Sequence, residues 1–141
     1  MQFFFQNENE NTRELFHQIE HACEGLIYIS ETDAPVLTFA GQPTDAVNAD
    51  VILQYSGMTA EEPVEEREFA EFFDRLTTIR DWYGEAEKAR AQKFLELRKL
   101  LKENLSELKV FRIGRIRLDI FVVGINTDGC LVGVSTKAVE T

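Results

Sequence analysis

The stretch VFRIGRIRLDIFVVGINTDGCLVGVS, residues 110–135, decides the fold. Its apolar residues alternate with polar ones or follow each other in short runs, and segments that favour turns interrupt them. This pattern predicts an antiparallel meander of three strands joined by tight turns. The predicted strands cover 110–113, 116–123 and 131–135, and the predicted turns cover 114–115 and 126–129.

The residues before this stretch mostly follow the 3.6-residue period of helices, with short strands between them. Thr12 and Asp81 are placed to cap two of the helices, and Gly25 and Gly57 to end two. The prediction is helices over 12–25, 50–55, 69–76 and from 81 to about 104, strands over 26–29 and 36–39, an exposed turn over 30–35 and an acidic loop before residue 69.

Helices followed by an antiparallel meander predict an α+β domain in which the helices pack on a sheet. A chain of 141 residues is long enough for one domain around a single core. Residues 6–11 are a polar run, so we expect residues 1–12 to be a frayed extension. Residues 13–141 are then the single folded domain.

The charge of the chain is strongly negative and unevenly placed. Its 25 acidic and 15 basic side chains leave a formal net charge of −10, which disfavours nucleic acid or an anionic membrane as a direct partner and favours a basic one. Seven acidic side chains lie within residues 61–74, against one arginine. At 44% hydrophobic residues, the chain is too apolar to be a disordered acidic tail.

Segments typical of export or membrane insertion are not predicted. No stretch approaches the roughly 18 to 20 apolar residues of a membrane span, and residues 1–5 lack the basic region of a secretory signal. Cys23 and Cys130 are two lone cysteines, which fit reduced, packed thiols better than a disulfide framework. We therefore expect a soluble, cytoplasmic protein, and a monomer.

The segment His17-Gln18-Ile19-Glu20-His21 matches the H-x-x-E-H motif of inverted zinc peptidases, in which two histidines bind zinc and the glutamate acts as a base. The predicted apolar face of this helix places both histidines on the solvated side, and no motif supplies a third ligand. Surface histidines are the favoured interpretation. A metal-dependent hydrolase that uses His17, Glu20 and His21 is kept as an alternative.

Two further charged groups favour a structural explanation. The acidic run of residues 61–74 is typical of a solvated face, although its summed field could attract a basic partner, as a DNA mimic does. The basic group Arg112, Arg115 and Arg117 lies beside Asp119 and is typical of the exposed side of a half-buried sheet. A general acidic interaction protein or DNA mimic is therefore the second alternative.

Two features are less easily assigned to structure alone. Asp81-Trp82-Tyr83 contains the single tryptophan, whose indole is either part of the core or an exposed anchor for a partner. The sequence ends with Glu140-Thr141 after an apolar, strand-like stretch, so that a carboxylate, a hydroxyl and the chain end lie together. Such hard oxygen ligands suit Mg²⁺.

A series of short motifs runs along the chain in a recognisable order. The motifs are Glu24-Gly25-Leu26, Ser30-Glu31, Asp81-Trp82-Tyr83, Lys93-Phe94, Phe111-Arg112-Ile113-Gly114, Leu118-Asp119, residues 133–137 and Val139-Glu140-Thr141. Their order and spacing resemble the nuclease A inhibitor family of cyanobacteria, and the resemblance covers roughly residues 13–141.

The resemblance implies a protein inhibitor, not an enzyme, of a sugar-nonspecific, Mg²⁺-dependent ββα-metal nuclease with a DRGH motif. It implies a three-layer α/β/α sandwich with a mixed sheet that is antiparallel towards its C-terminal end. It also implies no cofactor of the inhibitor's own, because the Mg²⁺ belongs to the partner nuclease.

The resemblance assigns roles to four residues of this chain. Glu31 corresponds to the glutamate that mimics the scissile phosphate, and Thr141 to the C-terminal threonine that coordinates the catalytic metal of the nuclease. Asp81 and Trp82 correspond to an Asp-Trp pair that makes a second contact. We expect inhibition by phosphate mimicry at these residues.

Overall fold

A five-stranded antiparallel sheet forms the centre of the computed structural model, which describes residues 10–58 and 61–141. The strand order is β3-β7-β6-β5-β4, and a two-stranded hairpin, β1-β2, stands beside the sheet. The strands are β1 Ile27–Ile29, β2 Asp33–Pro35, β3 Leu37–Pro43, β4 Val64–Glu68, β5 Ser106–Gly114, β6 Arg117–Ile125 and β7 Cys130–Val139, and the helices are α1 Glu10–Ala22, α2 Ala49–Ser56, α3 Phe69–Thr77 and α4 Glu85–Asn104. The predicted α+β class is confirmed.

Strands β5, β6 and β7 form the predicted meander at the middle of the sheet. The central strand β6 is apolar at successive positions because it is buried on both faces. Ile120 and Val122 pack on one side, whereas Phe121 and Val123 pack on the other. Burial on both faces therefore accounts for the continuous apolar sequence of β6, and it follows from the central position of this strand in the sheet.

The two faces of the sheet carry separate apolar cores, which produces three layers. Helices α1, α3 and α4 and the β1-β2 hairpin cover one face, with Ile19, Phe73 and Leu101 fully buried. The short helix α2 covers the other face through Ile52. The α/β/α sandwich implied by the resemblance is present.

The expected mixed sheet is not observed, because every ladder in the described part of the chain is antiparallel. The connection between the neighbouring strands β4 and β5 consists of two helices, α3 and α4, packed on each other. A single crossover helix would return the chain for parallel pairing, whereas a helical pair returns it for antiparallel pairing. Strand β3 also joins its edge in the antiparallel sense.

The prediction of an acidic loop before residue 69 is wrong for the second half of that segment, because Val64–Glu68 forms the edge strand β4. Apart from the half-buried Val64, the residues of β4 are exposed and charged, so they show no alternation of apolar and polar positions. An edge strand pairs through its backbone on one side, and charged side chains protect its free edge against further pairing. The pattern of a half-buried strand was therefore never present in this segment.

Two predicted helix caps also differ from the structure. Helix α1 begins at Glu10, and the buried Thr12 lies inside it, where its hydroxyl accepts from the Asn126 amide at 2.9 Å. Residues 10–12 therefore belong to the domain, while residues 1–9 of the expected extension lie outside the described residues. Helix α4 begins after Gly84, whose N–H donates to the Glu87 carboxylate at 3.0 Å, so Asp81 does not cap it.

The two cysteines are buried in the core and do not form a disulfide with each other, as predicted. Burial raises the pKa of the Cys23 thiol to about 12, because the apolar surroundings disfavour the thiolate. None of the helices within residues 10–58 and 61–141 combines the length and apolarity needed to cross a membrane.

Candidate functional site

Glu31 and Thr141, which are 110 positions apart in sequence, are directly hydrogen-bonded to each other. The Thr141 N–H donates to Glu31 Oε2 at 2.6 Å, and the Thr141 hydroxyl lies 2.9 Å from Oε1 and 3.0 Å from Oε2. Both residues are exposed. The two residues to which the resemblance assigned the central contacts thus form one hydrogen-bonded pair, called here the Glu31–Thr141 pair.

The β1-β2 hairpin places Glu31 at its tip. The pairing of Ile29 with Asp33 leaves residues 30–32 as the turn, and the Ser30 N–H closes this turn on the Thr32 carbonyl at 2.9 Å. Strand β2 lies within the predicted exposed turn, and it was missed because Asp33–Pro35 is short and polar. The hairpin presents Glu31 at a fixed point instead of on an open loop.

Hydrogen bonds that involve the backbone and two side-chain hydroxyls hold the hairpin against β7. The Val139 N–H donates to the Ser30 hydroxyl at 3.0 Å, and the Glu31 N–H donates to the Val139 carbonyl at 3.2 Å. Further back, the Thr136 hydroxyl donates to the Pro35 carbonyl at 2.9 Å. Because β7 is a long strand in the sheet, these contacts position Glu31 relative to the rigid part of the molecule.

Glu140 anchors the residues after β7 from the opposite side. Its N–H donates to the Ile116 carbonyl at 2.9 Å, and its carboxylate pairs with the guanidinium of Arg112, a nearly buried side chain of β5. Arg112 Nε also lies 3.8 Å from a Glu65 oxygen of β4. Thr141 is therefore held by Glu31 on one side and by the Glu140 contacts on the other.

The Glu31 carboxylate retains capacity for a partner. An ionised carboxylate offers about four lone-pair directions, and Thr141 supplies only two protons, from its N–H and its hydroxyl. The remaining directions face solvent, since Glu31 is exposed. The pair can therefore accept further hydrogen bonds or present oxygen atoms to a cation held by another molecule.

The positioning of Glu31 by Ser30 can be tested with Ser30→Ala. Loss of the hydroxyl removes the Val139 contact, and a neutral hydrogen bond of this kind contributes about 1 kcal/mol. We expect faster hydrogen exchange at the Val139 and Thr141 amides and roughly fivefold weaker partner binding.

The matched control is Ser106→Ala, which removes a hydroxyl bond to the Ile125 carbonyl at the other end of the same sheet. Ser106→Ala is expected to leave exchange at Val139 and Thr141 unchanged. Equal exchange rates in the Ser30 variant and in the wild type would contradict the positioning role.

Trp82 is an exposed side chain and not part of the core. The indole is 75% exposed and packs edge-on against Tyr83 with the ring centroids 4.7 Å apart. Asp81 and Trp82 lie in the turn between α3 and α4. The structure thus excludes a core position for the indole and leaves it accessible to a partner.

A cleft of about 420 Å³ connects this turn with the Glu31–Thr141 pair. Glu31, Arg75, Arg80 and Glu140 line it, and Arg80 directly precedes Asp81-Trp82. In the described part of the chain, Asp81 and Trp82 are not hydrogen-bonded to Glu31 or Thr141. The turn that carries Asp81 and Trp82 nevertheless begins at a residue that shares a cleft with Glu31.

The H-x-x-E-H segment forms part of the exposed face of α1. His17 Nδ1 lies 3.5 Å from a Glu20 carboxylate oxygen, and His21 Nδ1 lies 3.1 Å from a Glu24 carboxylate oxygen. The glutamate of the motif, Glu20, is therefore paired with His17 of the same motif. Within residues 10–58 and 61–141, no group of three or more His, Cys, Asp and Glu side chains is arranged to hold a metal ion. The arrangement supports surface histidines.

The acidic run of residues 61–74 is divided between β4 and α3 and is partly neutralised. Glu65 pairs with Arg67 at 3.0 Å, and Asp74 with Arg98 at 2.9 Å. Glu66 lies 4.0 Å from Lys109. The basic group of the meander is also divided, because Arg112 is nearly buried and paired, whereas Arg115 and Arg117 are exposed at the β5-β6 turn.

Ser30 and Arg112 are the positioning residues that the sequence did not identify. A signal for Ser30 was present, because Ser, Thr and Asp within one short polar segment favour turns closed by side chains. Arg112 carried no such signal, because its partner Glu140 follows 28 residues later and approaches it only through the sheet.

This end of the molecule presents exposed side chains, Glu31 and Thr141, whose positions are fixed by contacts with the sheet. The sequence matches the family model NuiA, nuclease A inhibitor-like protein, over residues 13–141. The chain belongs to the nuclease A inhibitor family. None of the curated proteins matches it. Family membership supports nuclease inhibition as the general function, with a nuclease as the partner, and indicates a non-catalytic protein.

Proposed function

We propose that this protein inhibits a Mg²⁺-dependent, sugar-nonspecific ββα-metal nuclease with a DRGH motif by occupying its active site. In this proposal Glu31 takes the position of the scissile phosphate, and Thr141 places oxygen on the metal of the nuclease. The single observation that supports it most strongly is the direct hydrogen bonding of Glu31 to Thr141 at one exposed point.

The chemistry of such an active site explains why these groups suit it. A site that binds a phosphate next to Mg²⁺ offers basic groups and hydrogen-bond donors around a hard cation. A carboxylate satisfies the donors, a hydroxyl oxygen is a suitable ligand for the cation, and neither contains a P–O bond that can be cleaved. The inhibitor therefore competes with the substrate and is not consumed.

Prior positioning of the pair lowers the cost of binding. The contacts of Ser30, Val139 and Glu140 fix the two residues before the partner arrives, so little side-chain and backbone freedom is lost on association. Asp81 and Trp82 make a second contact, in which the exposed indole loses its water and slows dissociation.

The general acidic mimic receives less support. Its candidate surface, residues 61–74, is interrupted by ion pairs with Arg67, Arg98 and Lys109. The remaining negative charge is assigned to steering towards a basic partner. We place the inhibitor in the cytoplasm, where its two buried thiols stay reduced, and as a monomer in a one-to-one complex.

Titration into a DRGH-motif nuclease with plasmid substrate tests the proposal. We expect the nicking activity to disappear at about one equivalent when both proteins are near 1 µM, because a complex worth about −12 kcal/mol, with a Kd near 1 nM, is nearly complete at that concentration. Binding to the nuclease should be tighter with Mg²⁺ than without it and should persist at high salt, whereas diffuse charge attraction should fade with salt. An unchanged rate would refute the proposal for that nuclease.

Extension of the chain beyond Thr141 tests the assignment of this residue to the metal. Added residues would crowd the Thr141 hydroxyl at the metal, and they should leave the fold intact because Thr141 is exposed. We expect at least about tenfold weaker inhibition from a Gly-Ser extension, a change near 1.4 kcal/mol. The same two residues added before Met1 are the control, and equal inhibition by the two extended proteins would contradict the metal contact.

A further inference from the structure

The large exposed apolar side chains of the described residues are concentrated at one end of the molecule. There are six of them, and four belong to segments that adjoin the Glu31–Thr141 pair, namely Ile29, Ile79, Trp82 and Ile116. The other two, Leu37 and Leu95, lie at the start of β3 and in the middle of α4.

Each of the four lines the cleft that contains Glu31, lies within two residues of a residue that lines it, or is bonded to one. Ile29 lines the cleft itself, Ile79 directly precedes its lining residue Arg80, and Trp82 lies two residues after Arg80. Ile116 lies on the β5-β6 turn, and its carbonyl accepts the Glu140 N–H at 2.9 Å. Three separate segments thus bring apolar side chains around one polar centre.

The shape of the β5-β6 turn is responsible for the exposure of Ile116. Gly114 has a φ of 121°, and a Cβ at this position would lie 2.2 Å from the Arg117 carbonyl oxygen. The observed turn is therefore at Arg115-Ile116, one residue later than the sequence indicated. This displacement places an isoleucine at the tip, 54% exposed, where a polar residue would be ordinary.

We propose that Ile29, Ile79 and Ile116, together with Trp82, form an apolar rim that packs on the nuclease surface around its catalytic centre. This inference rests on the proposed function, because it extends the contact of the Glu31–Thr141 pair outward. Energetically important interface residues are typically apolar or aromatic anchors, and the contacts around them exclude water from the polar groups that they enclose.

Enclosure by the rim also explains how an exposed pair can bind strongly. Hydrogen bonds and ion contacts in water gain little, whereas the same contacts in a water-excluded site are much stronger. The rim supplies that exclusion when it closes on the partner.

The test compares aspartate substitutions on and off the rim in the full-length protein. Ile116→Asp and Ile79→Asp are the rim variants, and Leu95→Asp is the matched control, since it makes the same chemical change at a similarly exposed side chain. We expect each rim variant to bind the nuclease at least about tenfold more weakly, mainly through faster dissociation, and Leu95→Asp to bind within about twofold of the wild type.

The outcomes separate this inference from the proposed function. Rim variants that dissociate as slowly as Leu95→Asp, while Glu31→Gln still weakens binding, would overturn the rim and leave the proposed function in place. A wild-type protein that does not bind the nuclease would overturn both. Circular dichroism melting of each variant confirms that a loss of binding does not come from unfolding.

Discussion

Replacing Glu31 by Gln is expected to weaken inhibition of the target nuclease by about two orders of magnitude. Gln keeps the length and shape of the side chain, removes the charge and replaces one acceptor oxygen by an NH2 donor. Loss of one member of a desolvated charge contact costs roughly 2–5 kcal/mol, and about 3 kcal/mol corresponds to this change in Kd. The measurement is a titration of nuclease activity. The dissociation rate of the complex is measured separately, with one of the two proteins immobilised on a sensor surface.

The stability of the Glu31→Gln protein should change little. Glu31 is exposed, and a glutamine can still accept from the Thr141 N–H through its amide oxygen. The variant therefore separates the proposed role in binding from a role in folding. A thermal melt that coincides with that of the wild type is the expected companion result.

The matched control for Glu31 is Glu62→Gln, which makes the same change of net charge in the exposed acidic run. Binding through diffuse negative charge predicts equal and small effects of both substitutions. Active-site mimicry predicts a large effect at Glu31 and an effect close to zero at Glu62. Equal effects would contradict the assignment of Glu31 to the phosphate position.

Replacing Gly133 by Ala is expected to lower the free energy of unfolding by about 3 kcal/mol or more. Gly133 lies in β7 and pairs with Val123 on one side and with Phe39 on the other. An added Cβ would lie 1.9 Å from the Val122 carbonyl oxygen and 2.8 Å from the Val123 Cα. Both are backbone atoms of the central strand, so the contact can be relieved only by separating strands.

The control for Gly133 is Gly129→Ala in the β6-β7 turn. Gly129 has a φ of 80° and open space where a Cβ would lie, so alanine there costs only the left-handed backbone conformation, about 1 kcal/mol. Urea unfolding of both variants measures the difference. A Gly133→Ala protein as stable as Gly129→Ala would show that the sheet accommodates the methyl group.

The substitution at Gly133 is expected to affect the candidate site as well as the stability of the fold. Strand β7 carries Val139, which contacts Ser30 and Glu31, and the residues that follow it. A displacement of β7 therefore moves one side of the Glu31–Thr141 pair relative to the hairpin. We expect the folded fraction of the Gly133→Ala protein to inhibit more weakly than the wild type.

The elements that sequence reasoning predicted well are those with strong local patterns. The meander of β5, β6 and β7 combines apolar alternation with turn residues, and α4 is a long helix of good helix formers that ends at Asn104, where it was expected to end. Family motifs identified Glu31 and Thr141, and the family itself is confirmed over residues 13–141.

The elements that were missed owe their structure to a partner strand or to a distant contact. Strand β4 has no pattern of its own, and it exists because β5 offers a free edge. Strand β2 is three residues long and depends on β1. Thr12 looked like a helix cap because the polar partner that buries it, Asn126, is 114 residues away.

The sequence by itself therefore determined the α+β class, the meander and the residue types of the candidate site, because short-range periodicity and short motifs encode them. Only the tertiary structure decided that Glu31 and Thr141 share hydrogen bonds, that Trp82 is exposed, and that three isoleucines surround this end. These features depend on strand order and register, which bring together residues more than one hundred positions apart. Patterns within a short segment do not encode contacts between residues so far apart in sequence. Each segment satisfies its own backbone and side-chain preferences equally well whether its surface is open to solvent or packed on another segment.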